Sequence, residues 1–187
     1  MATRGVLFPL AVVAVSALVG VLLSYDAPDE EPLERPEEER PDFFVEGFAM
    51  HHYDESGVQR SLLRGVSGEH YPQRREMEIV EPNWYGLSQG GAVWQATAPL
   101  GTASHEQRTV WLHDAVTLLR PAQPDRPMLT VETRDLFIDT EQGIAQTEAT
   151  IVAYDPFSKV RGRGMTLEYL HDRLRLHEEV RGHHAAQ

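Results

Sequence analysis

Asn83-Trp84-Tyr85-Gly86-Leu87-Ser88-Gln89-Gly90-Gly91-Ala92-Val93-Trp94 has two readings, and the fold class follows from the choice between them. Gly86, Ser88 and Gly90 match G-x-S-x-G, the nucleophile elbow of serine hydrolases. That elbow needs a strand, a strained turn carrying the serine, and a helix immediately afterwards. After Ser88, however, two consecutive glycines lead into period-two alternation. Ala92, Trp94, Ala96 and Ala98 fall on one face, with Val93, Gln95 and Thr97 on the other. This is strand patterning after a glycine hairpin turn. A triad also needs an acid and then a histidine downstream, for which Asp114 and His171 are available, but a chain with 9 His supplies such pairs by default. Ser88 is therefore read as a turn residue and not as a nucleophile.

The same patterning extends in both directions. Phe43 to Tyr53 leads into the turn Asp54-Glu55-Ser56-Gly57, then Val58 to Gly65; Met77 to Val80 stops at Glu81-Pro82. Thr109 to His113 and Ala115 to Leu119 flank His113-Asp114, read as a turn, and Pro121 to Pro127 is a proline-rich loop. Met128 to Thr133, Asp135 to Asp139 and Ala149 to Tyr154 follow, with turns at Asp139 to Gly143 and Asp155-Pro156. Gly164 to Leu170 and Arg173 to Val180 are expected to pair across His171-Asp172. Short alternating strands at about ten-residue intervals with hairpin-length links imply an antiparallel sandwich, roll or barrel.

One face of each strand is apolar, and the other carries Thr, His, Asp, Glu and Arg. Each strand thus buries one side and wets the other. The expected interior is Trp94, Ala96, Val110, Leu112, Val116, Leu118, Val131, Leu136, Ile138, Ile151 and Met165. Such an interior is either a packed core or an apolar groove, and periodicity does not separate the two. Val160 to Met165, VRGRGM, reads as a solvated turn in which glycine allows a bulge. Its Arg161 and Arg163 are also suited to bidentate phosphate contacts. His51 and His52 are adjacent on a strand, point to opposite faces and cannot easily share a metal ion. No metal and no cofactor is expected.

Formal net charge is -12 over 187 residues, which argues against nucleic acid as a partner. The absence of cysteine excludes disulfides, thiolate zinc sites and a cysteine lipid anchor. Val6 to Leu23 is an uncharged run of 18 residues. As a helix it would span about 27 Å at ~1.5 Å per residue, close to a bilayer core of about 30 Å. Arg4 precedes it and acids follow, so the N-terminus is expected in the cytoplasm and the rest of the chain across the membrane. A cleaved signal peptide is the alternative, but LLSYDAPDEE offers no small-residue cleavage site. Asp26 to Asp42 has nine acids, two arginines and four prolines, the composition of an extended linker. The expected organisation is a membrane anchor over 1–25, a linker over 26–42 and a β domain over 43–187.

An anchor and polar linker are followed in order by Tyr53 to Gly57, the Tyr71-Pro72 and Glu81-Pro82 breaks, Trp94-x-Ala96-x-Ala98, Val110-x-Leu112 with Val116-x-Leu118, and LTVETRDLFID. Gly164-Met165, Leu174 to Leu176 and Val180-x-Gly182 close the series. In that order these features resemble the LptC family of bacterial lipopolysaccharide export, with Asp114 where members often carry glycine. The resemblance implies a twisted antiparallel (OstA-like) β-jellyroll whose interior residues contact acyl chains, with Arg161 and Arg163 as head-group candidates. It implies an inner-membrane protein with a periplasmic jellyroll and no catalytic group. Lipopolysaccharide would be accepted from the ABC exporter (LptB, LptF, LptG) and passed to the periplasmic protein LptA. The partner-docking edge would be the C-terminal strand, with Arg173, Leu174, Leu176 and Val180. A membrane-anchored scaffold with a packed core and no lipid contact is the competing function.

Overall fold

The computed structural model describes residues 39–88 and 93–184. The expected anchor, the linker as far as residue 38, and Gly90-Gly91 lie outside the described residues. Among the described residues, no helix is long and apolar enough to cross a membrane.

The described chain is all-β. Its strands are β1 (Phe43–Tyr53), β2 (Gln59–Tyr71), β3 (Glu76–Val80), β4 (Asn83–Leu87), β5 (Val93–Thr97), β6 (Leu100–Ser104), β7 (Thr109–Arg120), β8 (Leu129–Asp139), β9 (Ile144–Tyr154), β10 (Ser158–Glu168) and β11 (Arg173–His184). All of them belong to one antiparallel sheet. The hairpin expected from the opening stretch forms: Trp84 pairs with Ala96, and Gly86 with Trp94. The next described element after Ser88 is a strand, β5, and not a helix.

The topology is a meander. β3 and β4 together make one bent strand, and β5 and β6 make its partner. The bends lie at Glu81-Pro82 and Ala98-Pro99, where proline cannot donate to the ladder. Two cross-links hold them, Glu81 N–H to Pro99 O at 2.9 Å and Ala98 N–H to Pro82 O at 3.3 Å. β2 pairs with β1 on one side and with β3 and β4 on the other. β7 receives β5 and β6 on one side and β8 on the other. Counting β3 with β4 and β5 with β6, each strand lies beside its neighbour in sequence, and among the described residues β1 and β11 are the free edges.

Three expectations need correction. His113-Asp114 is not a turn between strands, because β7 runs through it. Met128 to Thr133 and Asp135 to Asp139 are not separate strands, because β8 is continuous over them. Val160 to Met165 is not a solvated turn but the middle of β10. In each case the local signal marks a β-bulge. The register slips between Leu112 and Ala115, between Glu132 and Phe137, and between Arg163 and Met165. Asp114, Asp135, Gly164 and Glu179 take φ of 62°, 50°, 69° and 52°. Aspartate and glycine tolerate this left-handed region better than most residues. Successive bulges on adjacent strands form a row that bends the sheet.

A bulge frees backbone groups that must find partners when buried. Two buried threonines supply them. Thr133 Oγ1 donates to Thr150 O at 3.2 Å, and Thr147 Oγ1 donates to Arg134 O at 2.8 Å. Thr147 Oγ1 also accepts from Ala149 N–H at 3.1 Å. Thr147→Val keeps the shape but strands two backbone groups, so we expect a loss of about 1–3 kcal/mol. Urea denaturation of the domain measures this directly.

Candidate functional site

The interior is built from the alternating faces of β2 to β10. All eleven residues expected there are buried, nine of them to at least 99% apart from Val110 at 5% and Val116 at 2% exposure. Trp94 and Ala96 come from β5, Val110 to Leu118 from β7, Val131 to Ile138 from β8, Ile151 from β9 and Met165 from β10. Bulges keep both halves of a strand facing inward. In β8, Val131 and Leu136 are five residues apart, a spacing that period two would place on opposite faces. The slip at Asp135 restores the phase.

Sequence reasoning missed part of this interior. Trp84, Ile79, Leu167 and Tyr169 are fully buried or nearly so. The signal was present for two of them, since Leu167 and Tyr169 continue the alternation from Met165. Tyr169 opens a single 3₁₀ turn, Tyr169–His171, and its ring meets Trp84 edge-on at 4.9 Å and 80°. Its hydroxyl donates to Thr140 O at 3.3 Å, and burial pushes its pKa far up. The Trp84 indole N–H is buried and has no acceptor among the described residues.

The 3₁₀ turn ends at Asp172, whose φ is 51°. The Trp94 indole N–H donates to Asp172 Oδ1 at 2.8 Å, and Arg126 Nη1 reaches Oδ2 at 2.6 Å. Arg120 lies 3.7 Å from Oδ2 and 5.8 Å above the Trp94 ring centroid. One carboxylate thus joins the β10–β11 link to β5, β7 and the loop before β8.

Surface clefts among the described residues include two that are lined by none of the eleven interior residues. One surrounds the β9–β10 link, with Tyr154, Phe157, Lys159 and His183. The other includes Asp54, Arg60, Arg108 and Glu141. The hydrogen bond from the Ser56 hydroxyl, supported by Val58 N–H and Arg60, lowers the Asp54 pKa to about 2. No group of three or more potential metal ligands occurs among the described residues, and His51 is exposed while His52 is half-buried.

The free edges differ in character. β11 exposes Arg173 and Val180, while Leu174 and Leu176 pack against the core. Arg173 and Arg175 both lie near Glu168, at 3.4 and 3.9 Å. β1 exposes Phe43, Phe44, Met50 and Tyr53. Arg161 and Arg163 are exposed on the face of β10 opposite to buried Gly162. Asp114 is exposed and bonded by Arg134 at 3.2 Å.

A family model described as "Lipopolysaccharide-assembly, LptC-related" matches residues 9–185. Comparison with curated proteins gave no match.

Proposed function

Since the chain belongs to the LptC-related family of lipopolysaccharide assembly, we propose that it is the membrane-anchored bridge of lipopolysaccharide export. The match over nearly the whole chain carries this reading. Residues 1–25 are the inner-membrane anchor, 26–42 the spacer and 43–187 the periplasmic domain. The domain accepts lipopolysaccharide from the ABC exporter (LptB, LptF, LptG) and passes it to LptA. It does so without catalysis of its own.

The physical requirement is a continuous apolar path, because acyl chains cost roughly 0.8 kcal/mol per CH₂ exposed to water. Eleven inward residues from five strands provide an apolar lining. Free edge strands provide joints, since unpaired N–H and C=O groups accept another protein's strand. β11, with Arg173, Leu174, Leu176 and Val180, is the docking edge toward LptA. The eleven residues are buried against one another and their neighbours, so cargo enters by parting that packing.

That burial also favours a second reading, a scaffold whose core stays packed. Photo-crosslinking in cells separates the two. Photoreactive residues at Trp94 and Leu118 should capture lipopolysaccharide, and one at the exposed neighbour Thr117 should not. No capture from either interior position, in protein that is folded and bound to its partners, would replace the bridge with the scaffold.

A further inference from the structure

The outer face of the β10–β11 pair carries charge that the fold does not use. Lys159, the chain's only lysine, and Arg161 lie on β10, exposed on one face. Across the ladder Lys159 faces His183, and Arg161 faces Arg181. Directly opposed residues stand about 4.5–5.5 Å apart at Cβ, and like charges so placed repel. The next rung on the same face is about 7 Å along the strand. Lys159, Arg161, Arg163 and Arg181 have no ion pair or side-chain hydrogen bond among the described residues. Every other described arginine has a partner. Glu178 faces Arg163 without pairing to it, and Tyr154, which faces Lys159, donates to Glu132 instead. A chain with 29 acids thus leaves two arginines opposed and unneutralised.

The inner face of the same strand pair is apolar. Val160 lies against Gly182, and Leu174 and Leu176 pack on the core. An amphiphile whose tails lie among the inward residues and whose head emerges beside β11, before LptA docks on that edge, would meet these cations first. We propose that the Arg161–Arg181 rung, with Lys159 beside it, binds a phosphate on the head group of the lipid cargo. Two guanidinium forks on one rung match a single tetrahedral dianion through paired charge-assisted hydrogen bonds. Arg163, faced by Glu178, is the weaker member. The inference rests on the lipopolysaccharide reading above and adds the phosphate as the recognised group.

The test uses the full chain in zwitterionic nanodiscs, titrated with diphosphoryl and monophosphoryl lipid A. Wild type should prefer the diphosphoryl form by about tenfold, a typical effect for a charged hydrogen-bonded pair. Arg161→Gln with Arg181→Gln should abolish the preference while leaving the melting temperature unchanged. A charge-matched control, Arg75→Gln with Arg108→Gln, should keep it. An equal affinity of wild type for both forms, or a preference that survives in R161Q/R181Q, overturns the inference. So does loss of binding to phosphatidylglycerol nanodiscs alone, which would make the rung a membrane contact. Binding of neither lipid A form by wild type would instead defeat the lipid-bridge reading itself.

Discussion

Gly86→Val should lower the melting temperature of the β domain by roughly 6–12 °C, from an overpacking cost of about 3 kcal/mol at 2–4 °C per kcal/mol. A Cβ at Gly86 would be driven into the Trp84 indole and would stand 2.8 Å from Tyr169 Cδ2. Both rings are fully buried and hold each other edge to face, so neither can withdraw. Valine adds two more carbons to the same clash. Gly86→Ala should show the same sign with a smaller shift. A melting temperature within a degree or two of wild type would mean that the Trp84–Tyr169 contact is looser than described. The glycine that completes a hydrolase-like motif is thus explained by packing, not by chemistry at Ser88.

Asp172→Ala should destabilise the domain by about 2–4 kcal/mol, measured by urea denaturation at neutral pH. The substitution leaves the Trp94 N–H without its acceptor and removes the carboxylate that Arg120 and Arg126 share, leaving Arg126 only Asp125 at 3.9 Å. The carboxylate is 13% exposed, so the cost falls below that of a fully buried pair. Alanine adds a backbone penalty of about 1–2 kcal/mol, because φ here is 51°. Asp172→Asn retains an acceptor and a tolerated left-handed backbone, and should lose less than half as much. A loss under about 0.5 kcal/mol for the alanine variant would place Asp172 among ordinary screened surface pairs. An equal loss for both variants would put the whole effect in the charge.

Much of the fold could be read without coordinates because the physics involved is local. Period two identified the inward faces, and all eleven residues assigned to the interior are buried. Turn chemistry placed the links at Asp54 to Gly57, at Asp139 to Gly143 and at Asp155-Pro156, where the strands do end. Errors arose where a turn-forming residue sits inside a strand. Asp114 and Asp135 have the same local preferences whether the chain reverses or merely bulges. Partner strands decide between these outcomes: β8 continues the ladder on both sides of Asp114, so the strand goes on. The adjacent strand likewise decided that VRGRGM is ladder and not loop.

The sequence by itself determined the class of this protein: antiparallel β, with one apolar face per strand, a polar outer face and family features in their expected order. Those properties are set by neighbours two residues apart or by composition. Tertiary structure alone decided that Trp84 meets Tyr169, that Asp172 joins three elements, and that Arg161 opposes Arg181. These residues are 85, as many as 78, and 20 positions apart along the chain, beyond the reach of any local pattern. Their meeting depends on register and on the row of bulges that curls the sheet, because a one-residue slip would turn each side chain to the opposite face.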